Sequence, residues 1–236
     1  MAIHTLLFIA LGWAGHPAAA QPRPAIRSND LLAMDPIALV RLLDNTRPAP
    51  VSSTVRAQVI ASVPKHGRVD NLDEGERRKL AALAKVLEAA QRASVYAVMV
   101  IDVPQARVGL YARTVILISR PALTLMSEQE LQAVVAHETA HEYVHAEYER
   151  AMAAGGNGRL HDLELVCDII AVTILHAMGQ EARPLASAIE KLLRFNHSRF
   201  GTEIDDAQYP SPLLRRSMML ALEKRLWRGR LTPRPR

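Results

Sequence analysis

The sequence predicts an α+β fold, predominantly helical, with a small antiparallel sheet. Three observations predict it. Aromatic residues make up only 4% of a chain that is 49% hydrophobic, so the core must be built from Leu, Ala, Val, Ile and Met, a composition that leans towards helices. Apolar residues recur at helical spacing over several long stretches. Two short runs, 95–103 and 114–119, are instead rich in β-branched residues and read as strands.

The length of 236 residues favours one domain with an N-terminal extension. Residues 1–20 read as a secretory signal peptide. Thr5 to Trp13 is apolar, and Ala18-Ala19-Ala20 before Gln21 offers a small-x-small cleavage site. The run is short for a spanning helix, which needs about 20 residues, so cleavage near Ala20 and a secreted or periplasmic location are expected. The departure from the usual signal is an initial segment with His4 but no Lys or Arg. The later apolar stretch 163–178 is interrupted by Glu164, Asp168 and His176, so no transmembrane segment is expected in the mature chain, and contact with a membrane surface is left open. Cys167 is the only cysteine, which excludes an intramolecular disulfide and a Cys-rich zinc site. The net charge of +5 is spread along the chain and densest from Arg225 to Arg236, with residues 231–236 read as a basic tail. It carries no RNA-binding signature, so nucleic acid is not an expected partner.

Residues 21–70, rich in Pro, Arg and Ser, read as a wrapping extension with short helices. Asp35-Pro36 gives an N-cap and a proline at the first helical position, opening a helix through Leu43. A second short helix is expected over 53–62. A single longer helix follows over 73–93, with Leu80, Leu83, Val86, Leu87 and Ala90 on its apolar face. After the two strands, Ser127 with Glu130 three residues on forms a capping box. The helix it opens continues through His137 and His141. Gly155, Gly156 and Gly158 break the chain. Further helices are expected over 159–178, stopping at Gly179, then over 184–196 and 211–227.

His137-Glu138-Thr139-Ala140-His141 carries the chemistry. Residues four apart share one face of a helix, and two imidazoles at that spacing can bind one Zn²⁺ at about 2.0–2.1 Å. Glu138 beside them can accept a proton from water, the general-base role. The bland alternative is a helix with two surface histidines. A catalytic zinc usually takes three protein ligands, and Glu164 is the best third candidate. Asp168, four residues on, shares its face. Both interrupt an apolar stretch, where buried acids need a cationic partner. Asp168 is therefore read as a supporting acid that fixes a ligand imidazole, the alternative being a pair of salt-bridged acids. Straight antiparallel helices about the glycines would leave His141 and Glu164 about 10 Å out of step. The first helix is thus expected to end near residues 147–150, or the two to cross steeply. His145 and His161 read as surface or supporting residues, and Cys167 as a small buried hydrophobe.

These residues resemble metallopeptidase family forty-eight, which includes the CaaX prenyl proteases and periplasmic enzymes. Its pattern is a short strand, HExxH, then ExxxD on a following helix, and 115–123, 127–138 and Glu164-Leu-Val-Cys-Asp168 are similar to it. The resemblance implies a zincin-like fold over 71–230, with Zn²⁺ as cofactor and His137, His141 and Glu164 as ligands. It also implies Glu138 as the catalytic carboxylate, Asp168 as the supporting acid, and protein or peptide substrates. The implied activity is zinc metalloendopeptidase, in envelope protein turnover or quality control. A non-proteolytic zinc-binding or chaperone-like module on the same fold is the alternative. The strand at 115–119 resembles the family's edge strand, which pairs with substrate backbone. One departure stands out. Where the family has His-Pro before a late helix, this chain has Tyr209-Pro210. A tyrosine hydroxyl can also donate to a developing oxyanion, against the plainer reading of a packed side chain. Tyr209→Phe is expected to lower kcat more than it weakens substrate binding; steady-state kinetics with an unchanged kcat would remove that role.

Overall fold

The computed structural model describes residues 26–64, 67–201 and 209–231; the expected signal peptide lies outside them, as do residues 232–236 of the basic tail. Helices α1 (Ser28–Ala33), α2 (Pro36–Thr46) and α3 (Ser53–Ser62) come first. Asp35 caps α2 by accepting from the amides of Ile37 and Ala38 at 2.9 and 3.3 Å, with Pro36 at the first position. This sets Leu39 and Leu43 on one buried stripe. Together with Leu31 of α1 they join the main core, so the extension supplies core residues as well as wrapping.

The single helix expected over 73–93 is two, α4 (Glu74–Ala81) and α5 (Leu83–Ala89). The reason for the break is tertiary. The carbonyl of Ala82 accepts from Gln132 Nε2 at 2.8 Å, a partner fifty residues away that no local pattern reports. The second helix also stops earlier than expected, at Ala89, ahead of Gln91 and Ser94, both in left-handed backbone at φ of 53° and 61°.

Three strands follow: β1 (Ala97–Ile101), β2 (Val108–Tyr111) and β3 (Val115–Ser119), in the order β1-β3-β2. The expected antiparallel sheet is corrected here. β2 is antiparallel to β3, but β1 runs parallel to β3. The chain lays down β2 on the far side first and then turns back, inserting β3 between β1 and β2. The strand β2 is not among the two expected runs; Pro104 and Gly109 interrupt the β-rich pattern between them. Every residue of β3 is buried. Ile116 and Ile118 enter the main core, whereas Val115 and Leu117 meet Val63, flanked by Val59 and Ile60 of α3. One helix of the extension thus covers the outer face of the sheet.

The rest is helical: α6 (Arg120–Leu125), α7 (Glu128–Ala153), α8 (Asn157–Ala177), α9 (Arg183–Phe200) and α10 (Pro212–Leu231). The fold is therefore mostly helical with one small sheet. α7 opens with the capping box, Ser127 Oγ accepting from the Glu130 amide and Glu130 from the Ser127 amide. It buries Leu131, Val134 and Val135. The chain reverses at Gly155, at φ 63°, and α8 packs along α7. Gly179, at φ 74°, ends α8 with the Gln180 amide bonded to the Leu175 carbonyl. α9 packs against α7, and α10 packs against α8 and α9. No helix among the described residues is long and apolar enough to cross a membrane.

Glu130 ties the start of α7 to α9. It accepts from Ser187 Oγ at 2.6 Å and from Lys191 Nζ at 2.7 Å. Burial pushes its carboxyl up, but the hydrogen bonds from Lys191, Ser187 and Ser127 win and hold it at about 2. An acid depressed in the folded state stabilises above its unfolded value and loses that stabilisation as pH falls through the folded value. The Tm of Lys191→Met is therefore expected to lie below wild type at pH 7, the gap closing as pH falls from about 4.5 towards about 2. Thermal denaturation across that range checks it, and a pH-independent gap would contradict it.

Candidate metal centre

The α-helical repeat sets His137 and His141 of α7 one turn apart on one face. Their rings stand edge to face with centroids 5.0 Å apart. α7 is not shortened, as one alternative required; it runs to Ala153, and Glu164 of α8 still arrives between the two rings. Its carboxylate lies 3.4 Å from His137 Nε2 and 3.9 Å from His141 Nε2, and it accepts from Tyr148 Oη at 3.3 Å. Glu138 also approaches, since ligand atoms of His137, Glu138 and His141 all lie within 4.8 Å of one another. The two carboxylates are distinguishable by their other bonds. Glu164 stands across both Nε2 atoms, whereas Glu138 Oε2 accepts from the amide of Leu110 in β2 at 3.1 Å, which keeps it to the side.

The site is held from behind by a chain of buried charges. His137 Nδ1 and Asp168 Oδ1 are 3.0 Å apart. Asp168 is fully buried and takes a two-pronged contact from Arg215 of α10, Nε to Oδ2 at 2.7 Å and Nη2 to Oδ1 at 2.6 Å. Arg215 Nη2 also stands 3.9 Å from Glu164. Sequence reasoning missed Arg215. The available signal was two acids on one apolar helix, which call for a fixed cation as well as a metal. Behind the second imidazole the partner is different: Cys167 Sγ is 3.6 Å from His141 Nδ1. His145 does not join the cluster and pairs with Glu149 at 3.4 Å.

The electrostatics follow from these neighbours. Burial pulls His137 down, but its bonds to Asp168 and Glu164 outweigh that and raise it to about 9. His141 has no such acid behind it, and burial lowers it to about 4. Glu164 is pulled well below the carboxylate range, against its burial, by the two histidines and Arg215. Burial drives Glu138 up to about 7; His137 opposes this and Glu164 adds to it. A carboxylate near neutrality can both take and return a proton. Tyr209 reaches the site as well. Burial and the charges of Glu164 and Glu138 raise it to about 12, with its hydroxyl bonded to that of Tyr148, so it stays a donor at neutral pH.

The donor set fits a zinc ion. Two imidazole Nε2 atoms meet the Glu164 carboxylate, Oε2 at 3.4 Å from His137 and Oε1 at 3.9 Å from His141, and bond lengths of about 2.0–2.1 Å in a tetrahedron separate ligand atoms by about 3.3 Å, close to the first of these. The field that favours a proton on His137 favours a cation between these groups.

The strand at 115–119, expected at the edge, is instead the middle strand, and β2 is the edge that faces the site. Backbone parity follows from three bonds. The Ser119 amide donates to the Arg107 carbonyl and the Arg107 amide to Ser119 Oγ, so, with Gly109 and Tyr111 opposite Leu117 and Val115, odd-numbered residues 107, 109 and 111 face β3. Leu110 gives its amide to Glu138, so Val108 and Leu110 face outward.

Residues 73–187 match the model of one protein family, described as Peptidase family M48. The match spans His137, Glu138, His141, Glu164 and Asp168, and stops short of Tyr209 and Arg215. No curated protein matches the chain.

Removing Arg215 would strand Asp168 as a buried, uncompensated charge. Arg215→Met is expected to cost about 3–5 kcal/mol of stability. Adding Asp168→Asn should recover part of that loss. Urea denaturation of the three proteins tests both statements, and a single-variant cost below about 1 kcal/mol would make the ion pair dispensable.

Proposed function

Since the chain belongs to peptidase family M48 through residues 73–187, we propose that it is a zinc-dependent metalloendopeptidase acting on protein or peptide substrates. One observation carries the reading: Glu164 stands 3.4 and 3.9 Å from the Nε2 atoms of His137 and His141, with a second carboxylate, Glu138, beside them. His137, His141 and Glu164 would hold the metal, and Asp168, steadied by Arg215, would orient the His137 ring. Zinc bound there supplies Lewis-acid polarisation of a carbonyl and acidification of water.

Glu138 takes a proton from the attacking water and delivers it to the leaving amine. Its raised value of about 7 suits both steps. The Leu110 amide fixes its carboxylate against the edge strand, and the same strand offers outward groups of Val108 and Leu110 to an extended peptide. Tyr209 is the proposed donor to the oxyanion. The signal-like residues 1–20 support a secreted or periplasmic location after cleavage near Ala20. A role in envelope protein turnover or quality control rests on that location.

Zinc content and casein cleavage, measured together for wild type and Glu138→Gln, test the proposal. One zinc in each with cleavage by wild type alone is expected, the variant losing at least about a hundredfold in rate. Zinc in both without cleavage by either would favour a binding module on the same fold. No zinc in either after metal-replete purification would overturn the reading.

A further inference from the structure

The outward side of the edge strand is not open along its whole length. Ala106 precedes β2 and, by the parity set at Arg107 and Leu110, presents its N–H and C=O on the same side as Val108 and Leu110. Both groups are taken by one side chain. Asn196 of α9 accepts from the Ala106 amide with Oδ1 at 2.9 Å and donates to the Ala106 carbonyl with Nδ2 at 2.9 Å. A primary amide used in this way makes the two bonds that a neighbouring strand would make to the same residue. Ala106 is itself buried, so nothing else can pair there.

The far end of β2 is held too. Arg113, in the tight turn where Ala112 and Arg113 lie at φ of 45° and 55°, donates to the Ala49 carbonyl at 2.8 Å and reaches Glu142 at 3.5 Å. Between these two anchors β2 is four residues long. Its outward groups are the N–H and C=O of Val108 and the C=O of Leu110, the Leu110 N–H being bonded to Glu138.

We propose that Asn196 is a positioning and specificity-determining residue that closes one end of the substrate edge: a peptide lying along β2 pairs with Val108 and can pair no further, because Ala106 is clamped. This rests on the peptidase reading for the substrate, but the clamp itself does not. A docked strand antiparallel to β2 gains hydrogen bonds up to the residue opposite Val108, and beyond that its chain must turn away from α9. Substrates should therefore be read over a short extended stretch on that side, with residues farther out contributing nothing through their backbone.

Two measurements on the full chain test it. The first needs no substrate. In Asn196→Ala, which removes two hydrogen bonds, hydrogen exchange at the amides of Gly109 and Tyr111 should speed up about tenfold or more, while β1 and β3 amides paired with each other keep their rates. Unchanged exchange in β2 would overturn the clamp whatever the enzyme does. The second uses peptides cleaved by wild type, each carrying one backbone N-methyl group. Methylation of the residue opposite Val108 should raise KM about tenfold, and methylation two residues farther along should have no effect. Asn196→Ala should raise KM for the unmodified peptides with kcat held within about twofold, and Asn196→Gln should not restore it, because the longer side chain displaces the amide. A penalty at the farther position, or an Asn196→Ala defect confined to kcat, would overturn the stop. Absence of cleavage of any peptide by zinc-loaded wild type would instead count against the peptidase reading and leave the exchange result to decide the clamp.

Discussion

Arg215 and Asp168 bind three helices into one object. Asp168 on α8 is sealed from water, bonded on one side to the His137 imidazole on α7 and on the other to a guanidinium on α10. A lone carboxylate at that depth would be costly enough to protonate or to unfold the helix pair. A planar donor fork meets both of its oxygens at once, which a lysine could not do. The position of His137 therefore depends on where α10 docks, and α10 docks through residues well outside the matched family segment. The same pattern recurs one residue past the second histidine. Glu142 is buried against Arg92, Nε to Oε2 at 2.6 Å, and Arg92 also reaches the Pro48 carbonyl at 2.6 Å. Two buried ion pairs thus register α7, one from α10 on the C-terminal side of the chain and one from Arg92 just after α5, which the Pro48 carbonyl links to the N-terminal extension.

The parts of the site that lie on one helix were legible in the sequence, because helical spacing alone places His137, Glu138 and His141. Glu164 and Asp168 were legible for a different reason. Acids in an apolar helix are conspicuous, since burial demands a partner for each. Arg215 was not, because Arg215-Arg216 looks like any pair of surface arginines in a basic helix; only tertiary packing buries one and exposes the other. The sheet was half legible. β-Branched runs disclosed β1 and β3, but parallel pairing leaves no local trace, and β2, with Gly109 at its centre, looks like a connection. The break at Ala82 is of the same kind, fixed by a glutamine on another helix.

The two histidines are supported unequally. His137 has an anion at its back and takes a positive charge readily; His141 has a thiol and resists one. The pair is therefore polarised before any ligand arrives, with the more basic imidazole next to Asp168. That asymmetry also acts on Glu138, whose proton affinity His137 lowers and Glu164 raises. A carboxylate so balanced responds to small shifts of either neighbour, so the rigidity supplied by the buried ion pairs fixes its protonation as well as the fold.

Cys167 sits in the same seam, wholly buried against His141, and burial with the nearby acids keeps its thiol far from ionised. As the chain's one sulfhydryl, it is a built-in reporter of breathing. A thiol reagent can reach it only when α7 and α8 part, so the labelling rate measures how often the heart of the molecule opens and is blind to fraying at the periphery. Electrophiles aimed at cysteine will accordingly spare the native molecule and mark only the fraction caught ajar.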